Sequence, residues 1–380
     1  MINKILFFLF LSAFFWGCGK IDPMKQEIVN IVNMDEIYLA EKGESKNSET
    51  VPADFYYAKD TLYISDQKNN RVLGIDEENE IFIEIGNVIE GQAVQANEYW
   101  EKELEEFLSS FQSSEEFEKK KKVRTQPRKK VKEKYAFVKI GKIITDFQEN
   151  VYVSHFNEKG LEILKFNSDG KFIYRIGEEG KDNPYFKPDT LIIDMMVSKE
   201  NGLWIKYQDQ ENLKIRYYND FGKNLLYYNI EAVKEAVNGF LEKKENQYYK
   251  IEDIFPLSAS NEIASIINVY EKDSGSYRVS KKYFFEINRD YNVINYWDFE
   301  SKNQQVFNLD ADDNILCFSY FSDEKAPILL TYNSKGNKTL EKKISLQKFN
   351  YKRIYVSMTQ EGNIIGAFMK KNKIYFVLWK

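Results

Sequence analysis

A short run of aromatic and β-branched residues, entered from a polar turn, recurs along this chain. Lys59 opens KDTLYISD and Gln148 opens QENVYVSHF. ENGLWIKY follows from Glu200, SNEIASII from Ser260, DDNILCFSY from Asp312 and EGNIIGAFM from Glu361. Apolar and polar positions alternate within the runs, the period-two signature of half-buried strands. Taking Leu62, Val151, Leu203, Ile263, Ile315 and Ile364 as equivalent, the spacings are 89, 52, 60, 52 and 49 residues, so the chain reads as six units.

A second landmark follows the first. Asp76, Asn167, Asn219, Asn288 and Asn333 each open a turn, as in NSDGK, NDFGK and NSKGN, where Gly can supply the positive φ of a hairpin. Each unit is therefore predicted to hold four antiparallel strands in about 50 residues, as a propeller blade requires. The last unit stops at Ile374 to Trp379, one strand short, and EIVNIVNM from Glu27 is placed to supply the missing strand. The expected fold is all-β: a six-bladed β-propeller over 27–380 with one or two helical insertions. Seven blades, or a pair of packed sheets, are the alternatives.

The runs LYISDQKNNRVLGIDEENEIFIEIG from Leu62 and NVYVSHFNEKGLEILKFNSDGKFIYRIG from Asn150 resemble six-bladed propellers of the NHL type. These motifs report hairpin chemistry, and the resemblance implies a fold and not a site.

Two stretches interrupt the repeat. In the first, at about 87–134, Trp100, Leu104, Phe107, Leu108 and Phe111 fall on one face of a predicted amphipathic helix. A basic run follows, with Lys119, Lys120, Lys121, Lys122, Arg124, Arg128, Lys129, Lys130, Lys132 and Lys134 against one acid, Glu133. Locally it carries +9 in a chain of net charge −5, which leaves the rest at −14. Such a run suits an anionic glycan or lipid surface. The competing reading is a solvated linker facing the acidic body of the same protein. Nucleic acid is not expected, because aromatic residues for base stacking are not interleaved. The second stretch, EAVKEAVNGFLEKKEN from Glu231, is predicted to be a helix packed on a blade through Val233, Ala236, Val237, Phe240 and Leu241.

The first residues bear on location. Lys4 precedes an apolar run from Ile5 to Trp16, well short of the ~20 residues that span a bilayer, as in an exported signal peptide. Gly17 followed by Cys18 resembles the bacterial lipoprotein cleavage box, although Phe15 and Trp16 stand where that box usually has Leu and a small residue. Looser boxes and Phe-rich signal cores of this kind are similar to those of spirochaetal lipoproteins. The expectation is a signal over 1–17, acylation at Cys18, a tether over 18–26 and a membrane-anchored protein facing the periplasm or the cell surface. An ordinary cleaved signal is the alternative.

Composition narrows the chemistry. One His and two Cys in 380 residues leave no His- or Cys-based metal site, and Cys317 has no partner once Cys18 is acylated. No nucleophile-elbow, phosphate-loop or dinucleotide motif is present. GEEGK at Gly177 has the wrong spacing. DADDN at Asp310 departs from a calcium loop at Ile315 and Phe321 and reads as a hairpin turn. His155 reads as a structural histidine. Asp146, Asp194 and Glu252 precede central strands, where hairpin or surface roles account for them. The 26 Tyr and 28 Phe read first as core between blades. The expected function is a non-enzymatic binding or scaffold propeller without cofactor at the cell envelope, with a protein or polyanionic partner. The alternative is a calcium-dependent hydrolase of lactonase type with a site in the central channel.

Overall fold

The computed structural model describes residues 26–33, 54–86 and 129–379, apart from 178–185, 187–189, 242–245, 320–327, 345–353 and a few single or paired positions. Six sheets form a β-propeller. Blade 1 holds β2 (Asp54–Ala58), β3 (Thr61–Asp66), β4 (Arg71–Ile75) and β5 (Ile81–Gly86). Blade 2 holds β7 (Lys139–Thr145), β8 (Val151–Asn157), β9 (Gly160–Phe166) and β10 (Phe172–Ile176). Blade 3 is β11 (Leu191–Val197), β12 (Leu203–Asp209), β13 (Asn212–Tyr218) and β14 (Asn224–Asn229). Blade 4 is β15 (Gln247–Pro256), β16 (Ile263–Asp273), β17 (Ser276–Ile287) and β18 (Val293–Asp298). Blade 5 is β19 (Gln304–Leu309), β20 (Ile315–Ser319), β21 (Ile328–Tyr332) and β22 (Lys338–Lys343).

Blade 6 draws three strands from the end of the chain, β23 (Ile354–Met358), β24 (Ile364–Lys370) and β25 (Lys373–Trp379), and a fourth from the start, β1 (Gln26–Asn33). β1 pairs antiparallel with β25 from Gln26 opposite Trp379 to Asn33 opposite Lys373. It supplies the strand that the last unit lacks. All six landmark residues stand first or second in the second strand of their blade and are buried, because that strand is covered on both faces by neighbouring blades.

The core is divided into six clusters, one at each blade-to-blade seam. Blade 1 meets blade 6 through Phe55, Ile64, Leu73, Phe376 and Leu378, with Phe55 edge-on to Phe376 at 5.2 Å. Blades 1 and 2 share Tyr63, Ile83, Val151 and Phe166, and blades 2 and 3 share Tyr152, Ile163, Leu203 and Tyr218. Blades 3 and 4, 4 and 5, and 5 and 6 have their own clusters. The aromatic abundance is thus mainly a seam requirement, since wedge-shaped gaps between twisted sheets need large side chains.

Two features correct the sequence reading. Val131–Lys134 is not part of the insertion: it forms β6, a fifth strand of blade 1 that lies parallel to β5. The second insertion is a helix, α1 (Ile230–Asn238), but a shorter one than its apolar spacing implied. Asn229 caps it by accepting the Glu231 amide, and it buries Ile230, Val233 and Val237 against blades 3 and 4. Phe240 falls beyond its end and is exposed, because the helix stops at Gly239. The helix predicted over Trp100 to Phe111 falls outside the described residues, as do residues 1–17, Cys18, Lys119 to Lys122, Arg124 and Arg128. Among the described residues no helix is long and apolar enough to cross a membrane.

The hairpin turns follow one chemical rule. Between third and fourth strands, Asn167, Asn219, Asn288 and Asn333 each accept, through Oδ1, the amides two and four residues ahead. Asp146 and Asp310 do the same between first and second strands, and the hydroxyls of Ser198 and Thr359 take the amide four residues ahead. The fourth residue of these turns is left-handed, filled by Glu149, Asn201, Tyr291 and Asp313 or by Gly. At Gly336 a Cβ would stand 2.6 Å from Trp297 as well as at φ 78°, so there Gly is required.

Candidate functional site

The first strands of the blades, β2, β7, β11, β15, β19 and β23, line the central channel. Several carry a bulge, seen as a register shift between Ile140 and Ile143, Ile192 and Asp194, Ile251 and Asp253, and Val306 and Asn308. A bulge frees one residue from the ladder and re-aims its neighbours. At this level Asp54, Lys142, Asp194 and Asp253 occupy equivalent positions in four consecutive blades, each three residues before the partner of its blade's landmark residue.

Asp54, Lys142 and Asp194, with the turns that follow the strands, bound a cavity of about 100 Å³. Its polar groups include Asp54, Lys142, Asp194, Asn308 and Asp310, and its apolar wall includes Phe55, Ile144, Met195, Leu309 and Met358. Asp54 Oδ2 accepts the Ile143 amide of the next blade at 3.1 Å, and Lys142 Nζ stands 3.7 Å from Asp54 Oδ1. Asp194 Oδ1 accepts the amide of Met195 at 2.9 Å. Asp253 accepts the amide of Ile254 and is held by Lys206, whose stem is buried between blades 3 and 4. Burial pushes the Asp54 carboxyl up to about 6; Lys142 and the Ile143 amide oppose the shift and Asp194 adds to it. Asp194 is raised for the same first reason, opposed by Lys206 and Lys142 and reinforced by Asp253.

Asp194 was expected in a hairpin or surface role. It lies in the channel instead, because the bulge in β11 moves it out of the strand's alternation. Asp146 does have the hairpin role, buried in its turn and 3.2 Å from Lys165. Glu252 pairs with buried Lys282 at 2.6 Å. Asp310 caps its turn through both carboxylate oxygens, with Asn314 as the second partner, which confirms the hairpin reading of DADDN. The channel position of Asp54 and Lys142 escaped the sequence reading. A ladder comparison across blades would have aligned them, but bulges shift that alignment by one residue.

His155 sits on β8 and is buried. Its Nε2 accepts the Val138 amide at 3.0 Å, so the ring carries its proton on Nδ1, which donates to Glu162 at 2.8 Å. Arg175 and Asn157 complete the Glu162 shell. The histidine is structural. Burial pushes the Cys317 thiol up to about 12, which leaves it unreactive.

Four members of the basic run are described. Lys130 pairs with Glu80 at 3.1 Å and Lys132 with Glu84 at 3.4 Å, while Lys129 and Lys134 lie beside them at either end of β6. Glu84 also receives Arg71 at 2.8 Å, and Arg71 in turn binds Asp66 at 2.9 Å. The C-terminal end of the run is therefore bound to blade 1.

No protein-family model matches the chain, and no curated protein matches it. Among solved structures, a polysaccharide lyase, Uly1, is similar at 9% identity and a TM-score of 0.46, covering 95% of this chain and 100% of that one. A gluconolactonase of Xanthomonas campestris is similar at 11% identity and a TM-score of 0.37, covering 95% and 98%. A glucose dehydrogenase gives 10% identity and a TM-score of 0.39, covering 94% and 99%. At such identities the likeness says nothing of chemistry.

Proposed function

We propose that this protein is a non-enzymatic binding or scaffold propeller of NHL type at the cell envelope, held to a membrane by acylation of Cys18. The observation that carries the reading is how the channel charges are held. Asp54, Asp194 and Asp253 each accept a backbone amide, and Lys142 and Lys206 stand beside two of them. Among the described residues no three acidic, His or Cys side chains converge as a metal-binding group. Such a lining is preorganised for recognition. In this reading Lys119 to Lys122, Arg124 and Arg128 are the part of the basic run offered to an anionic glycan, lipid headgroup or acidic protein.

A second reading, a channel hydrolase of lactonase type, is favoured by one feature: the Asp54 carboxyl is raised toward neutrality inside a cavity, as general acids and bases often are. A panel of lactones and sugar esters, assayed with calcium and with chelator, separates the two. The binding reading expects no turnover from either sample. Turnover lost in Asp54→Asn would select the hydrolase. Fatty-acid labelling of cells that express wild type or Cys18→Ala tests the anchor, and equal label on both would overturn it.

A further inference from the structure

The channel cavity has a definite chemical character. Two carboxylates, Asp54 and Asp194, face one amine, Lys142, which already stands beside Asp54. Lys206 is tied to Asp253 and does not neutralise Asp194 alone. Asp194 Oδ1 is used by the Met195 amide, and no protein donor to Oδ2 is found among the described residues. The turn at the mouth adds Asp310 and Asp312, and Lys199 pairs with Asp312 at 2.7 Å. The field inside is therefore negative, and a cation entering the channel is drawn toward Asp194.

The walls decide which cation. Met195, Met358, Phe55, Ile144 and Leu309 present thioether, aromatic and aliphatic surface to the same space. A hydrated divalent ion gains nothing from that surface, and the third carboxylate of the lining, Asp310, is already occupied by the donors of its own turn. An ammonium carrying a short hydrocarbon satisfies both halves: its N–H groups donate to the carboxylates and its carbons displace water from the wall. The volume, about 100 Å³, falls between about three waters and a cavity that holds benzene, about 150 Å³. It suits a ligand of a few heavy atoms.

We infer that the channel is a binding site for a small primary alkylammonium ion, or for the terminal ammonium of a larger molecule, with Asp194 as its main anchor and Met195 and Met358 as its apolar wall. The inference rests on the binding reading given above and supplies its ligand class. Asp54 and Asp194, each of which disfavours the other's ionisation, both gain from a cation between them.

The test uses the full chain with methyl-labelled methionine and ethylammonium chloride as the probe. Sodium chloride at equal ionic strength, calcium chloride and sodium acetate are the controls. The expected result is a saturable shift of the Met195 and Met358 methyl signals with ethylammonium alone, weakened at least tenfold in Asp194→Asn, which keeps the oxygen that accepts the Met195 amide. Met358→Phe, which fills the cavity from the other side, should weaken binding as much and guards against an effect of misfolding at Asp194. Absence of a saturable shift in wild type, or equal affinity in both variants, would overturn the inference. A response to calcium or acetate instead of ethylammonium would overturn it as well. None of these outcomes touches the binding reading itself, which fails only if the lactone panel shows turnover.

Discussion

The two faces of the propeller are built on different principles. On one face the first strand of each blade turns into the second and the third into the fourth. Between third and fourth strands the connections at 76–80, 167–171, 219–223, 288–292 and 333–337 are all five residues long. Between first and second strands, 146–150, 198–202, 310–314 and 359–363 repeat that length, while 59–60 and 257–262 are two and six residues long. On the other face lie the connections between blades and between second and third strands, and there length is unconstrained. The links include two residues at 158–159, eight at 320–327, the helix-bearing 230–246 and the long passage from β5 to β7. Turn chemistry fixes these nine five-residue turns of the first face, where the opening Asx, Ser or Thr closes a set of amides that leaves no room for an extra residue. Loop-closure entropy rises only slowly with length, so the second face tolerates insertion. The channel cavity belongs to the first face, since it is bounded by the later halves of the inner strands and by residues of the following turns such as Phe147, Asp310 and Thr359.

The largest effect should come where both faces depend on one element. Deleting Gln26–Asn33 unpairs β25 and exposes the seam of blades 1 and 6; the cooperative thermal transition should be lost, or fall by more than about 10 °C. A melt matching wild type would mean that the ring closes without β1. Next is Asp146→Ala on the short-turn face, which removes the acceptor of two amides and of the Asn150 side chain and leaves Lys165 with Asp220 alone. A loss of about 3 kcal/mol in a urea titration is expected.

The sharpest test of the comparison places one insertion on each face. Gly-Ser after Lys335 breaks the Asn333 turn beneath Trp297 and should cost about 2 kcal/mol. The same dipeptide after Gly275, where a Cβ would meet open space, should cost about 0.6 kcal/mol or less. Equal costs would refute the division of the faces. In the channel, Asp54 binds its proton more tightly in the folded protein than in the unfolded chain, since its pKa rises from 3.8 to about 6. That contribution is present below about pH 4 and is lost as pH rises through 6. Asp54→Asn should therefore flatten the stability profile between these limits and stabilise by about 1 kcal/mol above pH 6, part of the gain being offset by Lys142 losing its partner. Smallest is Lys199→Ala, which breaks an exposed pair and should change stability by about 0.5 kcal/mol or less.

The short-turn face is the part that the sequence states openly. Asn167, Asn219, Asn288 and Asn333 stand out because a turn of fixed length needs the same acceptor each time, and Leu62 and its five equivalents because a strand covered on both faces carries a fully buried apolar side chain at its first or second position. The missing strand at Glu27 was legible by simple arithmetic of strands. What escaped depends on irregularity. β6 pairs in parallel and carries charged residues, so its sequence looks like the end of a basic linker. Asp194 reads as a polar position before a strand until the bulge in β11 is known. The negative cavity is an assembly of single residues from separate blades, and no local pattern announces it.

The pairing of Gln26 with Trp379 joins residues 353 positions apart. During synthesis β1 is made first of all the strands and its partner last, so blade 6 cannot be completed until every other blade has left the ribosome. Until then the seam residues of blade 1, Phe55, Ile64 and Leu73 among them, have nothing to cover them on one side. A chain whose closure waits this long folds late and slowly.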